Sequence, residues 1–166
     1  MNASIIETER RGHEPVQKPG KSFQAYETPR DFLDAVERRF GSLAWDLACT
    51  AENAKAPSRI TSEQDALAVD WSVHCARWLC WLNPEFGNIA PWAEKCAVES
   101  QRGCRILMLT PASVGSNWFQ QWVVPYAHVL ELSPRLSFDG KNPFPKDLIL
   151  SVYMHGLTGR SHWRWK

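Results

Sequence analysis

The chain has 166 residues, enough for one domain with a core of ordinary size. Its formal net charge is +1 with 22% charged residues, which excludes global attraction to nucleic acid and leaves a local basic patch as the only electrostatic route to such a partner. The first residues carry no apolar signal core and no apolar run reaches membrane-spanning length, so a cytoplasmic protein without a membrane partner is expected.

Residues 1–21 mix charge, Gly and Pro without periodicity and predict a disordered arm. Thr28-Pro29 then predicts a helix start, with Thr28 as N-cap, Pro29 in the first helical position and Asp31 as early negative charge. Phe32, Leu33, Val36 and Phe40 recur at helical spacing, and Gly41 ends the segment. Leu43 to Cys49 reads as a first strand, apolar except for Asp46 near its end. An acid on a buried strand needs a partner: either it caps a neighbouring turn, or its carboxylate binds an ammonium or ribose hydroxyl of a cofactor. Residues 52–67 are polar and turn-rich and read as a loop over the sheet edge.

The run Trp78 to Leu82 predicts a buried second strand, ending in Asn83-Pro84-Glu85-Phe86. A loop from Gly87 to Pro91 leads into a helix from Trp92 to Gly103, with Ala93, Cys96 and Ala97 on one side and Glu94, Lys95 and Glu99 on the other. Cys104 to Leu109 is the third strand, and the strand–helix–strand order predicts parallel neighbours. A short aromatic helix, Asn117 to Trp122, precedes strands at Val129 to Leu132 and Leu148 to Tyr153. Between these lies a basic, turn-rich loop, Arg135 to Pro143. Residues 157–166 form a tail that interleaves basic and aromatic groups, suited to following a phosphate backbone and stacking on bases, or else simply disordered.

Asn83-Pro84-Glu85-Phe86 carries the most specific chemistry. Ligands of open α/β sheets bind at the carboxyl ends of the strands. An Asn side-chain oxygen and the next carbonyl, held by the fixed φ of Pro84, can together accept both hydrogens of an exocyclic amine. Phe86, two positions on, can stack on the ring that bears it, a contact of roughly 1–3 kcal/mol. That is the logic of an amino-methyltransferase; the bland alternative is a strand ending in an Asn-Pro turn. The five cysteines are odd in number and show neither C-x-x-C pairing nor accompanying His spacing, so reduced core thiols are expected and no metal site. Nine tryptophans are mostly core, with an excess of flat rings that suits a protein handling bases.

Several separated segments, in order from about Tyr26 to Tyr153, resemble the phage-encoded DNA N-6-adenine methyltransferases of the Dam type. They are Thr28-Pro29 with Phe32; Trp45 to Cys49 with Glu52-Asn53-Ala54; Asp65-Ala66-Leu67 with Asp70-Trp71; Trp81 to Phe86 with Trp92 to Lys95; Leu109 to Ala112 with Trp118-Phe119; and Arg135 to Phe138 with Gly140. None is specific alone, but their shared order and spacing is.

The resemblance implies an α/β, Rossmann-like three-layer methyltransferase domain over residues 22–156. Its central sheet is mostly parallel, and it is compact, without a separate target-recognition domain. S-adenosylmethionine is the implied cofactor and double-stranded DNA the implied partner, in the bacterial host cytoplasm if the chain is phage-encoded, with a homodimer as one possible assembly. Asn83, Pro84 and Phe86 form the adenine-amine site, the pattern being D/N-P-P-Y/F. Thr28, Pro29, Asp46, Ala48 and Asp65 are expected around the cofactor: Asp46 on its methionine amine or ribose, Thr28-Pro29 near its methionine end, Asp65 on its adenine amine. Glu85, Asn88, Trp92, Arg135 and Lys141 are expected on the substrate side.

Glu85 replaces the second Pro of the pattern. The catalytic carbonyl belongs to Pro84, which remains, so the amine acceptors survive; the new carboxylate either faces the site or turns outward. Two other readings stay open: a cofactor- or DNA-binding protein of this fold with impaired catalysis, and a methyltransferase for RNA adenine or protein glutamine.

Overall fold

The computed structural model describes residues 27–61 and 64–166, so the expected arm over residues 1–21 lies outside the described residues. Helix α1 (Arg30–Phe40) buries Phe32, Leu33, Ala35 and Val36 along one stripe, as their spacing predicts. It ends at Gly41, whose φ of 99° suits a residue without Cβ and whose N–H donates to the Glu37 carbonyl at 2.9 Å. Its start differs from expectation: Pro29 occupies the cap, and Thr28 makes no capping bond. The Asp31 carboxylate instead accepts the Phe32 N–H at 2.9 Å, satisfying one of the helix's free first-turn donors.

The strands are β1 (Trp45–Cys49), β2 (Ser58–Thr61), β3 (Leu79–Leu82), β4 (Arg105–Pro111), β5 (Ala127–Ser133), β6 (Leu148–Tyr153) and β7 (Gly159–Arg164). They form one seven-stranded sheet in the order β2-β1-β3-β4-β6-β5-β7. β6 is antiparallel to both its neighbours, and the other pairings between these seven strands are parallel. Helices α2 (Trp71–Cys75) and α3 (Ala90–Gln101) and a π-helical segment, Phe119–Val123, complete the mixed α/β fold. As expected from the strand–helix–strand order, β3 and β4 flank α3 in sequence and pair in parallel, Leu79 with Arg105 through Leu82 with Met108. All four residues of β3 are buried, which is why its sequence is a continuous apolar run and not an alternation.

Successive residues of these strands pack into two different clusters, the period-two consequence of the pleat. Cys80 and Leu82 join Ala93, Cys96 and Ala97 of α3 and Trp71 and Cys75 of α2. Leu79 and Trp81 join Phe32, Leu33 and Val36 of α1, together with Trp163 and Trp165. Fully burying such side chains contributes about 1.5–3 kcal/mol each, so the two clusters hold β3 in the interior of the sheet, between β1 and β4. All five cysteines are buried and free, as expected of core thiols.

Three further expectations are corrected. Within the stretch read as a loop, Ser58–Thr61 forms β2, a short strand at the end of the sheet order in which only Ile60 is buried; too few apolar positions alternate there to reveal it. Glu99, assigned to the polar side of α3, is fully buried and paired with Lys95 one turn earlier. Trp78, assigned to the second strand, is 59% exposed and precedes it.

The tail is not an aromatic surface for bases. β7 pairs with β5, and Trp163 and Trp165 face inward onto Phe32, with ring centroids 5.9 and 5.1 Å away. The Trp165 indole N–H donates to the Pro134 carbonyl at 2.6 Å, and the Arg39 guanidinium lies over Trp163 at 5.0 Å. The aromatics alternate with exposed Arg160, His162 and Arg164, as a strand with one buried side requires.

Candidate cofactor and base site

β1, β2 and β3 are parallel neighbours, so their C-terminal ends reach the same edge of the sheet. There they border a cleft of about 460 Å³. Its floor comes from Leu47, Ala48 and Cys49 of β1 and from Ile60 and Thr61 of β2. Asn83 and Glu85 reach it from the end of β3, and Trp92 from the first turn of α3. Thr50 and Asn53 close one side, in a turn held by the Asn53 side-chain oxygen, which accepts the Thr50 N–H at 2.7 Å.

Asp65, Ala66 and Leu67 close the other side. Asp65 has a φ of 46°, a left-handed conformation uncommon outside Gly, and its carbonyl accepts the N–H groups of Ala68 and Val69 at 2.9 and 3.2 Å. This tight turn is anchored in the core: Trp71 donates its indole N–H to the Ala66 carbonyl at 2.8 Å and stacks on Trp92, with centroids 6.5 Å apart.

Five of the residues expected from sequence therefore share one cleft: Ala48, Asp65, Asn83, Glu85 and Trp92. Asp46 does not line it but lies beside Leu47, with 3% of its surface exposed. One carboxylate oxygen accepts the Lys55 N–H at 2.8 Å and the other the Ala48 N–H at 3.3 Å. Burial pushes the Asp46 carboxyl above the usual range, opposed by those two backbone bonds and the Lys55 charge. The neighbouring Cys49 thiol is pushed up to about 11 by its own burial and by the Asp46 charge, so it stays protonated and unreactive at neutral pH. Thr28 is buried, and its Oγ1 has no hydrogen-bond partner among the described residues; Pro29 is half-buried beside it.

The four residues after β3 split between two environments. Asn83 and exposed Glu85 border the cleft, whereas Phe86 packs with the α1 cluster. Pro84 is buried between them. Phe86 is half-buried and meets the Phe144 ring at 5.9 Å and 68°; Phe144 in turn meets Phe138 at 5.2 Å and 88°. Asn88 is exposed and closes a turn by donating its N–H to the Glu85 carbonyl at 3.2 Å.

The structure does not bring Arg135 or Lys141 to this cleft. Arg135 borders a second cleft of about 560 Å³ and donates from Nε to Asp147 at 2.8 Å. Lys141 is exposed in a turn organised by Asp139, whose carboxylate accepts its backbone N–H at 2.8 Å. Cleft residues that the sequence reading left without a role include Leu47, Thr50, Asn53 and Thr61. Asn53 had a usable signal, since it lies in Glu52-Asn53-Ala54, one of the segments that carry the family resemblance, and is a turn-forming residue.

A family model described as DNA N-6-adenine-methyltransferase (Dam) matches residues 17–147. The chain belongs to that family. The Dam-family match covers β1 to β5 and stops before β6, so the last two strands are outside it. A DNA N-6-adenine-methyltransferase of Escherichia phage T1 is 24% identical over 137 residues, which are 82% of this chain and 56% of that protein. This Dam-family chain thus spans little more than half the length of that curated relative.

Proposed function

We propose that the chain is a methyltransferase that transfers a methyl group from S-adenosylmethionine to N6 of adenine in double-stranded DNA. The observation that carries this reading is that Asn83, the amine acceptor, borders the same cleft as Ala48 and Asp65, the positions expected around the cofactor. Family membership supports the same activity.

The residues of the cleft fit the cofactor. About 460 Å³ is within the range of small-molecule sites, and its lining mixes apolar Leu47, Ile60 and Trp92 with a few polar groups. Asp65 and Glu85 bring negative charge to it, suited to a cationic sulfonium ligand. Thr28 and Pro29 are not among the residues lining the cleft, but the buried Thr28 Oγ1 has no partner among the described residues and so retains hydrogen-bonding capacity for a ligand. Two Asp46 oxygens have about four lone-pair sites, so after two backbone bonds the carboxylate retains capacity for an ammonium or ribose hydroxyl.

When bound, the cofactor supplies an electrophilic methyl group on sulfur. The chain's own task is to present the amine. Asn83 Oδ1 and the Pro84 carbonyl accept the two amine hydrogens and draw the nitrogen lone pair out of conjugation, while Phe86 stacks on the base. N6 within a duplex is paired and poorly placed for in-line attack, so the adenine is taken up flipped out of the helix.

Two clusters on opposite sides of a mostly parallel sheet, one with α1 and one with α2 and α3, support the Rossmann-like three-layer reading, and β7 with Trp163 and Trp165 extends that unit beyond residue 156. Sequence readout falls to loops around Lys55 to Gln64 and Arg135 to Asn142, or to a second subunit. No helix among the described residues is long and apolar enough to cross a membrane. One rival is a binding protein of this fold whose catalysis is impaired by Glu85 standing in place of the pattern's second Pro. A panel of duplex DNA, RNA and glutamine-bearing protein, each incubated with labelled S-adenosylmethionine, decides: label in adenine of DNA supports the proposal, and label only in RNA or protein replaces it.

A further inference from the structure

We infer that Leu136 to Phe144 is a brace whose function is to set the ring of Phe86, with Phe144 as the positioning residue and Asp139 as the clasp that closes the loop. This rests on the proposed role of Phe86 in stacking on the target adenine.

Phe86 lies beyond the end of β3, in the turn that leads to α3, so no strand pairing fixes its direction. Its orientation must come from what it touches. Phe144 meets it edge-on at 5.9 Å, and Phe138 meets Phe144 the same way at 5.2 Å, and Phe86 is left half-buried.

The loop is built to hold those rings still. One Asp139 oxygen accepts the N–H groups of Lys141 and Asn142, both at 2.8 Å, and the Ser137 hydroxyl at 2.9 Å. Its other oxygen accepts the Asn142 side-chain amide at 3.1 Å. At the base of the loop, the Phe144 N–H donates to the carbonyl of fully buried Leu136 at 2.7 Å. Residues 139–143 are exposed, so the apolar groups that the loop turns inward are Leu136, Phe138 and Phe144. The hydrogen bonds from Asn142 and Lys141 hold the Asp139 carboxyl well below the usual range, so the clasp stays ionised at any ordinary assay pH. No residue from 136 to 144 borders the 460 Å³ cleft, so the brace acts on base capture and not on the cofactor.

The test compares the full chain with Phe144→Ala, Phe144→Tyr and Asp139→Ala. Each is assayed for methylation of unmethylated genomic DNA, for S-adenosylmethionine affinity by calorimetry and for its unfolding midpoint. Expected is a rise in KM for DNA of about tenfold in Phe144→Ala, the scale of one stacking contact on a base. Asp139→Ala should change in the same direction, Phe144→Tyr should stay near wild type, and cofactor affinity should hold within about twofold in all three, the range of a change remote from the cleft. Wild-type KM in both alanine variants would overturn the brace while leaving the activity intact. Cofactor affinity falling in step with KM would also overturn it, by showing ordinary loss of folding. No methylation by the wild type in any substrate would overturn the proposed activity and the brace with it.

Discussion

Asp46 and Trp81 are register partners across the parallel β1–β3 pair, which sets the buried Asp46 carboxylate opposite the residue two positions before Asn83, the proposed amine acceptor. The proposed cofactor contact of Asp46 and the proposed base contacts of Asn83 and Pro84 therefore come from adjacent strands or from the residues directly after them.

The raised Asp46 carboxyl gives a pH signature. It takes up a proton at higher pH than an ordinary aspartic acid, because burial disfavours the anion. If the anion holds the cofactor's ammonium or ribose, affinity is full above that raised value and falls as pH drops through it. The sign for folding is opposite: a carboxyl whose folded-state value is raised favours the native state on acidification, so this group does not itself explain loss of binding by acid unfolding. Asp46→Asn should bind S-adenosylmethionine about 10–100-fold more weakly at pH 7, the scale of a lost charge-assisted hydrogen bond, with a flatter profile. Calorimetric titrations at stepped pH check this; parallel profiles for the two proteins would assign Asp46 to holding Lys55 and Ala48 alone.

Trp165→Ala should destabilise the protein by about 3–5 kcal/mol, the usual cost of removing a large ring from a core. Trp165 is 9% exposed, lies edge-on to Phe32 at 5.1 Å and donates to Pro134 at 2.6 Å. Urea unfolding measures it. A loss below about 1 kcal/mol, the size expected at an undemanding surface position, would mean that Trp165, just beyond β7, adds little to the core.

The sequence was most legible where burial is continuous. β3 is apolar end to end and β4 from Ile106 to Leu109, and these runs locate the strands to within one or two residues. The place of Asn83-Pro84 at the end of β3 was legible because it directly follows such a run. β2 was not, since a four-residue strand with a single buried position leaves no periodic trace. β7 was misread because Trp163 and Trp165 alternate with Arg and Lys, a pattern shared by a strand with one buried side and a base-stacking tail. The Phe86–Phe144 contact joins residues far apart in the chain, and no local pattern signals it.

Glu85 is exposed, so its carboxylate keeps its hydration and adds little to the chemistry of the amine. Glu85→Gln should leave the methylation rate within about twofold of wild type, as for other solvent-facing substitutions. Glu85→Pro restores the family pattern and should likewise alter the rate only modestly. Radiolabel incorporation into DNA compares the three; a rise from no activity to measurable activity in Glu85→Pro would instead identify the wild type as a binding protein impaired by this residue.

The central claim is that Asn83 holds the adenine amine beside the cofactor cleft. Its most direct test is mass-spectrometric measurement of N6-methyladenine in DNA incubated with S-adenosylmethionine and either wild type or Asn83→Ala. The account predicts N6-methyladenine with the wild type and at least a hundredfold less with Asn83→Ala, about the scale of removing one positioned acceptor, while S-adenosylmethionine affinity is retained. No N6-methyladenine from the wild type, or an undiminished yield from Asn83→Ala, would contradict it.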